Sequence, residues 1–154
     1  MFKASTILVC ALCAAGLKIG STQAVVGEYI DVNGREMFVG SDWVGATLAA
    51  EECTAIGKKL VSFDDLNKYL DLLTVLRNKE DYVYHFFWTS GNRRAAETMW
   101  YWNDAGFVTG TFWAFRQPDV SQDQEACLKF TVEPNTDSLW YDETCDEYIR
   151  FVCE

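Results

Sequence analysis

Apolar residues fall at helical spacing in two consecutive stretches of the first half of the chain. Ala46, Ala49, Ala50, Cys53 and Ile56 form a small apolar face. Ser41 or Asp42 can cap a helix carrying that face, and Gly57 can end it. Leu66, Tyr69, Leu70, Leu73 and Leu76 form a stronger stripe. The spacing predicts a second helix starting at Ser62, with Asp65 in capping-box position. Ahead of both, Tyr29 to Val39 predicts one or two short strands around an Asn33-Gly34 turn. After Arg77 the helical period is lost. Tyr82 to Thr89 is strand-like, and about 35 residues up to Asp123 then show little periodicity, longer than an ordinary connection. Strand signals return at Leu128–Val132, Leu139–Asp142 and Tyr148–Cys153. The pattern predicts an α+β domain, helices first, with a sheet drawn mainly from the C-terminal half.

Length and composition narrow this picture. The 154 residues set a prior of one domain. The first 24 read as a secretory signal peptide: Lys3, an apolar run from Ile7 to Leu17, then small and polar residues up to Ala24. A membrane anchor is the competing reading, but the run is short and Lys18 interrupts it. The expected organisation is a leader over 1–24 and one secreted, extracellular domain over 25–154. Cleavage would remove Lys3, Lys18 and no acid, taking the formal charge from −10 to −12. A chain so acidic is a poor match for nucleic-acid phosphates. A single His in the chain leaves no nucleophile–base arrangement visible, so no enzymatic activity is expected. Cleavage also removes Cys10 and Cys13, leaving Cys53, Cys127, Cys145 and Cys153. An even count in a secreted chain implies two disulfides, with three connectivities open. Their spacing lacks the close pairs of a structural zinc site.

Trp43 near the head of the first helix, Cys53 within it, then Gly57 and Leu60 begin an ordered series of features. It continues through Phe87-Trp88-Thr89, Trp100-Tyr101-Trp102, Gln117-Pro118-Asp119 and Glu125-Ala126-Cys127. It closes on Trp140-Tyr141-Asp142, Cys145 and Phe151-Val152-Cys153-Glu154. In this order the features resemble the C-type lectin-like domain family in its short form, and small secreted arthropod (insect) lectins of galactose type in particular. The resemblance covers nearly all of 25–154. It implies two helices packed on antiparallel sheets, a long loop region, and bridges Cys53–Cys153 and Cys127–Cys145.

In sugar-binding members of that family one calcium ion sits on the long loop and touches the sugar. The resemblance places its ligands at Gln117, Asp119, Glu125 and Asp142, with a cis bond before Pro118. The donor types suit the ion, which takes ~6–8 oxygens. Gln117 offers an amide oxygen, Asp119 and Glu125 carboxylates, and Asp142 a carboxylate and its own carbonyl. The same residues and Tyr141 form the implied carbohydrate site. Tyr141 departs from the family pattern, standing where an Asn would contact both metal and sugar; this weakens the implied Ca2+ site. Gln-Pro-Asp implies galactose-type selectivity, here a weak preference, with Tyr141 or Phe115 as the available stacking face. An accessory calcium site is not expected, because Val120 and Ala126 stand where acids would help. Glu133-Pro134-Asn135 and Trp102-Asn103-Asp104 imitate family signatures at the wrong places.

The simpler readings are structural. The six Trp are expected in the core or as loop anchors. His85 is expected in a strand, and Arg93 and Arg94 as a solvated loop pair. The expected function is a secreted calcium-dependent lectin recognising microbial or host glycans, an innate-immune role. The alternative is a calcium-independent protein-binding domain on the same fold. With no unpaired cysteine left, any oligomer would be noncovalent.

Overall fold

A computed structural model describes residues 24–109 and 112–154. The expected leader, apart from Ala24, lies outside the described residues.

The chain opens with a hairpin of β1 (Gly27–Val32) and β2 (Arg35–Val44). Its turn puts Asn33 and Gly34 at φ 54° and 80°, the pair of positive values that a tight two-residue hairpin turn requires. β2 runs past the expected strand and takes in Ser41 and Asp42, the proposed helix caps. It pairs antiparallel with β8 (Ile149–Cys153) as far as Val44, across a bulge. Sheet pairing therefore overrides the capping signal, and helix α1 (Ala46–Ala55) starts later, with Gly45 as its N-cap. The first N–H of α1, on Ala46, donates to the Cys145 carbonyl at 2.8 Å. Gly57, at φ 74°, ends the helical segment as expected, and the Lys58 N–H closes back on the Cys53 carbonyl.

Helix α2 (Leu66–Arg77) begins at Asp65, whose carboxylate accepts the Asn67 N–H at 2.9 Å. Ser62, the expected start, is instead buried and donates its hydroxyl to Glu154. The buried face is Tyr69, Leu72, Leu73 and Leu76; Leu66 and Leu70 of the expected stripe are exposed. Tyr69, Leu73 and Leu76 of that stripe are kept, and the buried face also takes in Lys68, which is drawn inward to Glu154 at 2.8 Å.

All strands belong to one sheet. Its centre is β3 (Phe86–Arg93), paired parallel to β8 and antiparallel to both β4 (Tyr101–Trp102) and β6 (Ala126–Thr131). The sheet is thus mixed, where antiparallel pairing alone was expected. β3 starts later than expected because Glu80–Tyr82 forms a 3-10 turn, and it runs on to Arg93. β5 (Gly106–Phe107) extends β4, and β7 (Trp140–Glu143) extends β6.

The core has two parts. One lies between α2 and the sheet, where Phe63, Tyr69, Phe130 and Trp140 interlock. The other lies under α1 around Trp88 and Phe151. The bridges are Cys53–Cys153 and Cys127–Cys145, the pairing the family implies. Each adds on the order of 2–4 kcal/mol. Trp88, Trp100, Trp102 and Trp140 are buried as expected, whereas Trp43 is 52% exposed, lying edge-on to His85. His85 precedes β3 rather than lying in it.

Trp140 touches Phe63, Tyr69, Trp102, Phe112 and Trp113, so it joins helix, sheet and loop. Trp140→Ala is expected to cost about 3–5 kcal/mol in urea unfolding. Trp140→Phe should cost less, because it keeps an aromatic ring and the indole N–H it removes is buried without a partner among the described residues.

Candidate functional site

The segment between β3 and β6 carries little regular structure, so its backbone groups need partners from elsewhere. Near its start, Trp102-Asn103-Asp104 enters the β4–β5 turn, with Gly106 at φ 81°. Further on, Phe112 and Ala114 lie along β7, exchanging backbone hydrogen bonds with Trp140 at 2.8 and 2.9 Å. The chain then bends at Arg116, with φ 65°, and enters the cis Gln117–Pro118 bond that the family resemblance implies.

Two residues clamp this bend to the sheet. The Gln117 Oε1 accepts the Asp142 N–H at 3.0 Å. The Asp142 carboxylate, only 4% exposed, accepts the N–H groups of Asp119 at 2.7 Å and Val120 at 2.9 Å. A third residue holds the following turn. Arg93, 3% exposed, donates to the carbonyls of Val120 at 2.9 Å and Ser121 at 3.1 Å, and more weakly to Gln122 and Glu97. Its guanidinium lies 5.7 Å from the Trp100 ring centre. The expectation of a solvated Arg93–Arg94 pair is therefore corrected: Arg94 is exposed, Arg93 is the buried loop anchor. No strand alternation could have shown this, because β3 is buried on both faces and its pairing with β6 shifts register between Trp88 and Asn92.

The expected site residues are only partly assembled. Gln117 and Asp142 meet directly, and Asp119 joins them through its backbone. The Asp119 side chain is on an exposed residue with no hydrogen-bond partner among the described residues. Glu125 is exposed and lines a groove shared with α1 and β3. Tyr141 alternates to the sheet face opposite Trp140 and Asp142, where its ring packs edge-on to Phe86 at 5.4 Å. Phe115, at the bend, is 86% exposed, with the Arg116 guanidinium 5.1 Å from its ring centre. Glu143 and Glu147 pair with Lys129, and the Glu133 carbonyl accepts from Arg77 at 2.8 Å, both structural contacts.

The donor chemistry at the bend suits calcium, being all oxygen with three carboxylates. The arrangement does not gather them. Among the described residues no three of His, Cys, Asp or Glu lie close enough together to hold a metal ion.

The family model of the lectin C-type domain matches residues 45–154, which run from the cap of α1 to the last residue. The chain belongs to the C-type lectin domain family. Among relatives, C-type lectin 37Da of Drosophila melanogaster is 27% identical over 133 residues, covering 82% of this chain and 70% of that protein. The alpha-N-acetylgalactosamine-specific lectin of Patiria pectinifera is 31% identical over 83 residues, 54% of this chain and 49% of that protein. The chain thus spans about half of that second relative. The fold is similar to that of TC14, a C-type lectin from the tunicate Polyandrocarpa misakiensis. The TM-score is 0.62 at 20% identity, over 82% of this chain and 96% of that one. It is equally similar to a calcium-independent type II antifreeze protein, with a TM-score of 0.64 at 20% identity, over 86% and 95%. The lectin fold is therefore shared by proteins that differ in their use of calcium.

Arg93→Met removes donors from part-buried loop hydrogen bonds at roughly constant volume. We expect a loss of about 1–3 kcal/mol, with amide exchange rising first over residues 119–124 and later in β3, read by hydrogen exchange.

Proposed function

We propose that this C-type lectin domain is a secreted, calcium-dependent carbohydrate-binding protein with a weak galactose-type preference, recognising glycans on microbial or host surfaces in innate immunity. The observation that carries this reading is the meeting of Gln117 and Asp119, on one bend, with Asp142 of β7. There three side-chain oxygens, Gln117 Oε1 and both of Asp142, are already held by backbone N–H groups, and the exposed residue Asp119 adds a carboxylate. Secretion is part of the proposal and rests on the leader pattern over 1–24 and on two disulfides. Among the described residues no helix is long and apolar enough to cross a membrane.

In this reading Gln117, Asp119, Glu125 and Asp142 hold the ion. Bound calcium would supply a centre that accepts two vicinal sugar hydroxyls. The chain's own part is to pre-position the bend and to accept and donate hydrogen bonds to those hydroxyls. The mechanism is coordination and not catalysis. Phe115 offers an exposed ring beside the bend for the apolar face of a sugar. One such site binds weakly, so useful affinity comes from multivalent surfaces.

A second reading is a calcium-independent protein-binding domain. Two observations favour it: Tyr141 packs on Phe86, and both Asp142 oxygens already accept backbone N–H groups.

Calorimetric titration of calcium into chelator-stripped protein decides between them. The lectin reading expects one saturable site with a dissociation constant on the order of 10⁻⁴–10⁻³ M, as in weak extracellular calcium modules. Asp119→Ala should abolish both that heat and calcium-dependent retention on a galactose column. No heat at millimolar calcium, with target capture indifferent to chelator, would establish the second reading.

A further inference from the structure

Glu125 borders a groove of about 620 Å³, within the range of small-ligand sites. One wall is the face of α1 bearing Thr47, Ala50, Glu51 and Thr54; the other is β3 at Ser90 and Asn92, with Asn103 from the β4–β5 turn. The floor is apolar, formed by Leu60, Ala46 and the Cys127–Cys145 bridge.

The polar groups of the groove are left open by the fold. Ser90 is 6% exposed, and its backbone N–H and carbonyl are paired to Val61 and Asn103 at 2.9 and 3.3 Å. Its hydroxyl is buried without any partner among the described residues. Buried hydroxyls are ordinarily satisfied, so this one, at the lining of the groove, leaves a hydrogen-bonding position open to a ligand or water atom. Asn92 Nδ2 donates to Asn103 Oδ1 at 2.7 Å, which fixes both amides. The Asn92 Oδ1 and Asn103 Nδ2 are then a free acceptor and a free donor, among the described residues. Glu51 and Glu125 add acceptors and Arg94 adds donors, with no ion pair to any of the three among the described residues.

We propose that this groove is a second binding site, for an uncharged hexose, that works without a metal ion. The inventory argues for the class. Neutral donors and acceptors stand together with apolar lining residues, the mixture that the hydroxyls and C–H face of a sugar ring require. Two carboxylates against one guanidinium repel an anion, and two carboxylates alone are too few for a built calcium site. The helix wall is tied to β8 by Cys53–Cys153, and β8 pairs with the strand wall β3, so little ordering is needed on binding.

Backbone-amide NMR of the protein in EDTA tests this, with galactose, glucose, mannose and N-acetylglucosamine titrated singly to high millimolar concentration. At least one sugar is expected to give saturable shifts at Thr47, Glu51, Ser90 and Asn103. Ala50→Phe, which fills the groove, should weaken that binding about tenfold or more. Thr47→Trp, on the exposed helix surface, provides the same block should the first variant not fold. Asp119→Ala should leave the shifts unchanged. No shift at these amides with any of the four sugars, or shifts that survive both groove-filling variants, would overturn the proposal. EDTA strips calcium from the loop throughout, so this result and that of the calcium titration stand or fall separately.

Discussion

Two buried charges satisfy the backbone at the far end of the long, mostly irregular segment that lies against this sheet. Asp142 accepts the N–H groups where the segment bends back, and Arg93 donates to the carbonyls where it turns again. Trp100 and Trp113 of the segment pack on one another, and Trp113 packs on Trp140 of β7. The two charges have opposite sign and serve opposite ends of successive peptide units. Each is compensated by several peptide dipoles rather than by a counter-ion. The energetic weight of a loop that would otherwise stay open is thus concentrated in two side chains.

This division of labour places the functional question at one carboxylate. Asp142 is both the structural clamp and a member of the expected calcium set. An ion at the bend would have to share oxygens that two peptide N–H groups already use. Each carboxylate oxygen has a second lone pair, so sharing is chemically open. The family pattern would add an amide at the next position back, but here Tyr141 spends its ring on Phe86. Under the calcium reading, affinity would depend on how readily Asp119 and Glu125 close on Gln117 and Asp142.

The sequence made the outline legible wherever a local rule and the tertiary structure agree. Asn33-Gly34 gave its hairpin because two positive-φ residues in a row have few other uses. Gly57 and the order of cysteines and tryptophans likewise carried through to the structure. Ser41 and Ser62 misled as helix starts because each has a stronger alternative: the first pairs in a strand, the second bonds to Glu154 across the fold. Local capping strength of about 1 kcal/mol does not compete with such long-range contacts. At the site, residue types were legible and orientations were not. Nothing local tells that Arg93 turns inward or that Glu125 faces a groove beside α1, since both depend on where β3 and β6 begin and end.

The disulfides have a topological consequence. Cys127–Cys145 is nested inside the ring that Cys53–Cys153 closes over a separation of 100 residues. The exposed bend at Phe115–Arg116 lies within the outer ring and outside the inner one. A protease that cuts there severs the backbone yet leaves both fragments in one covalent molecule, joined by the outer bridge. A nicked domain of this kind keeps its mass until it is reduced. Until then it is a two-chain protein whose long loop has been opened and whose scaffold has not.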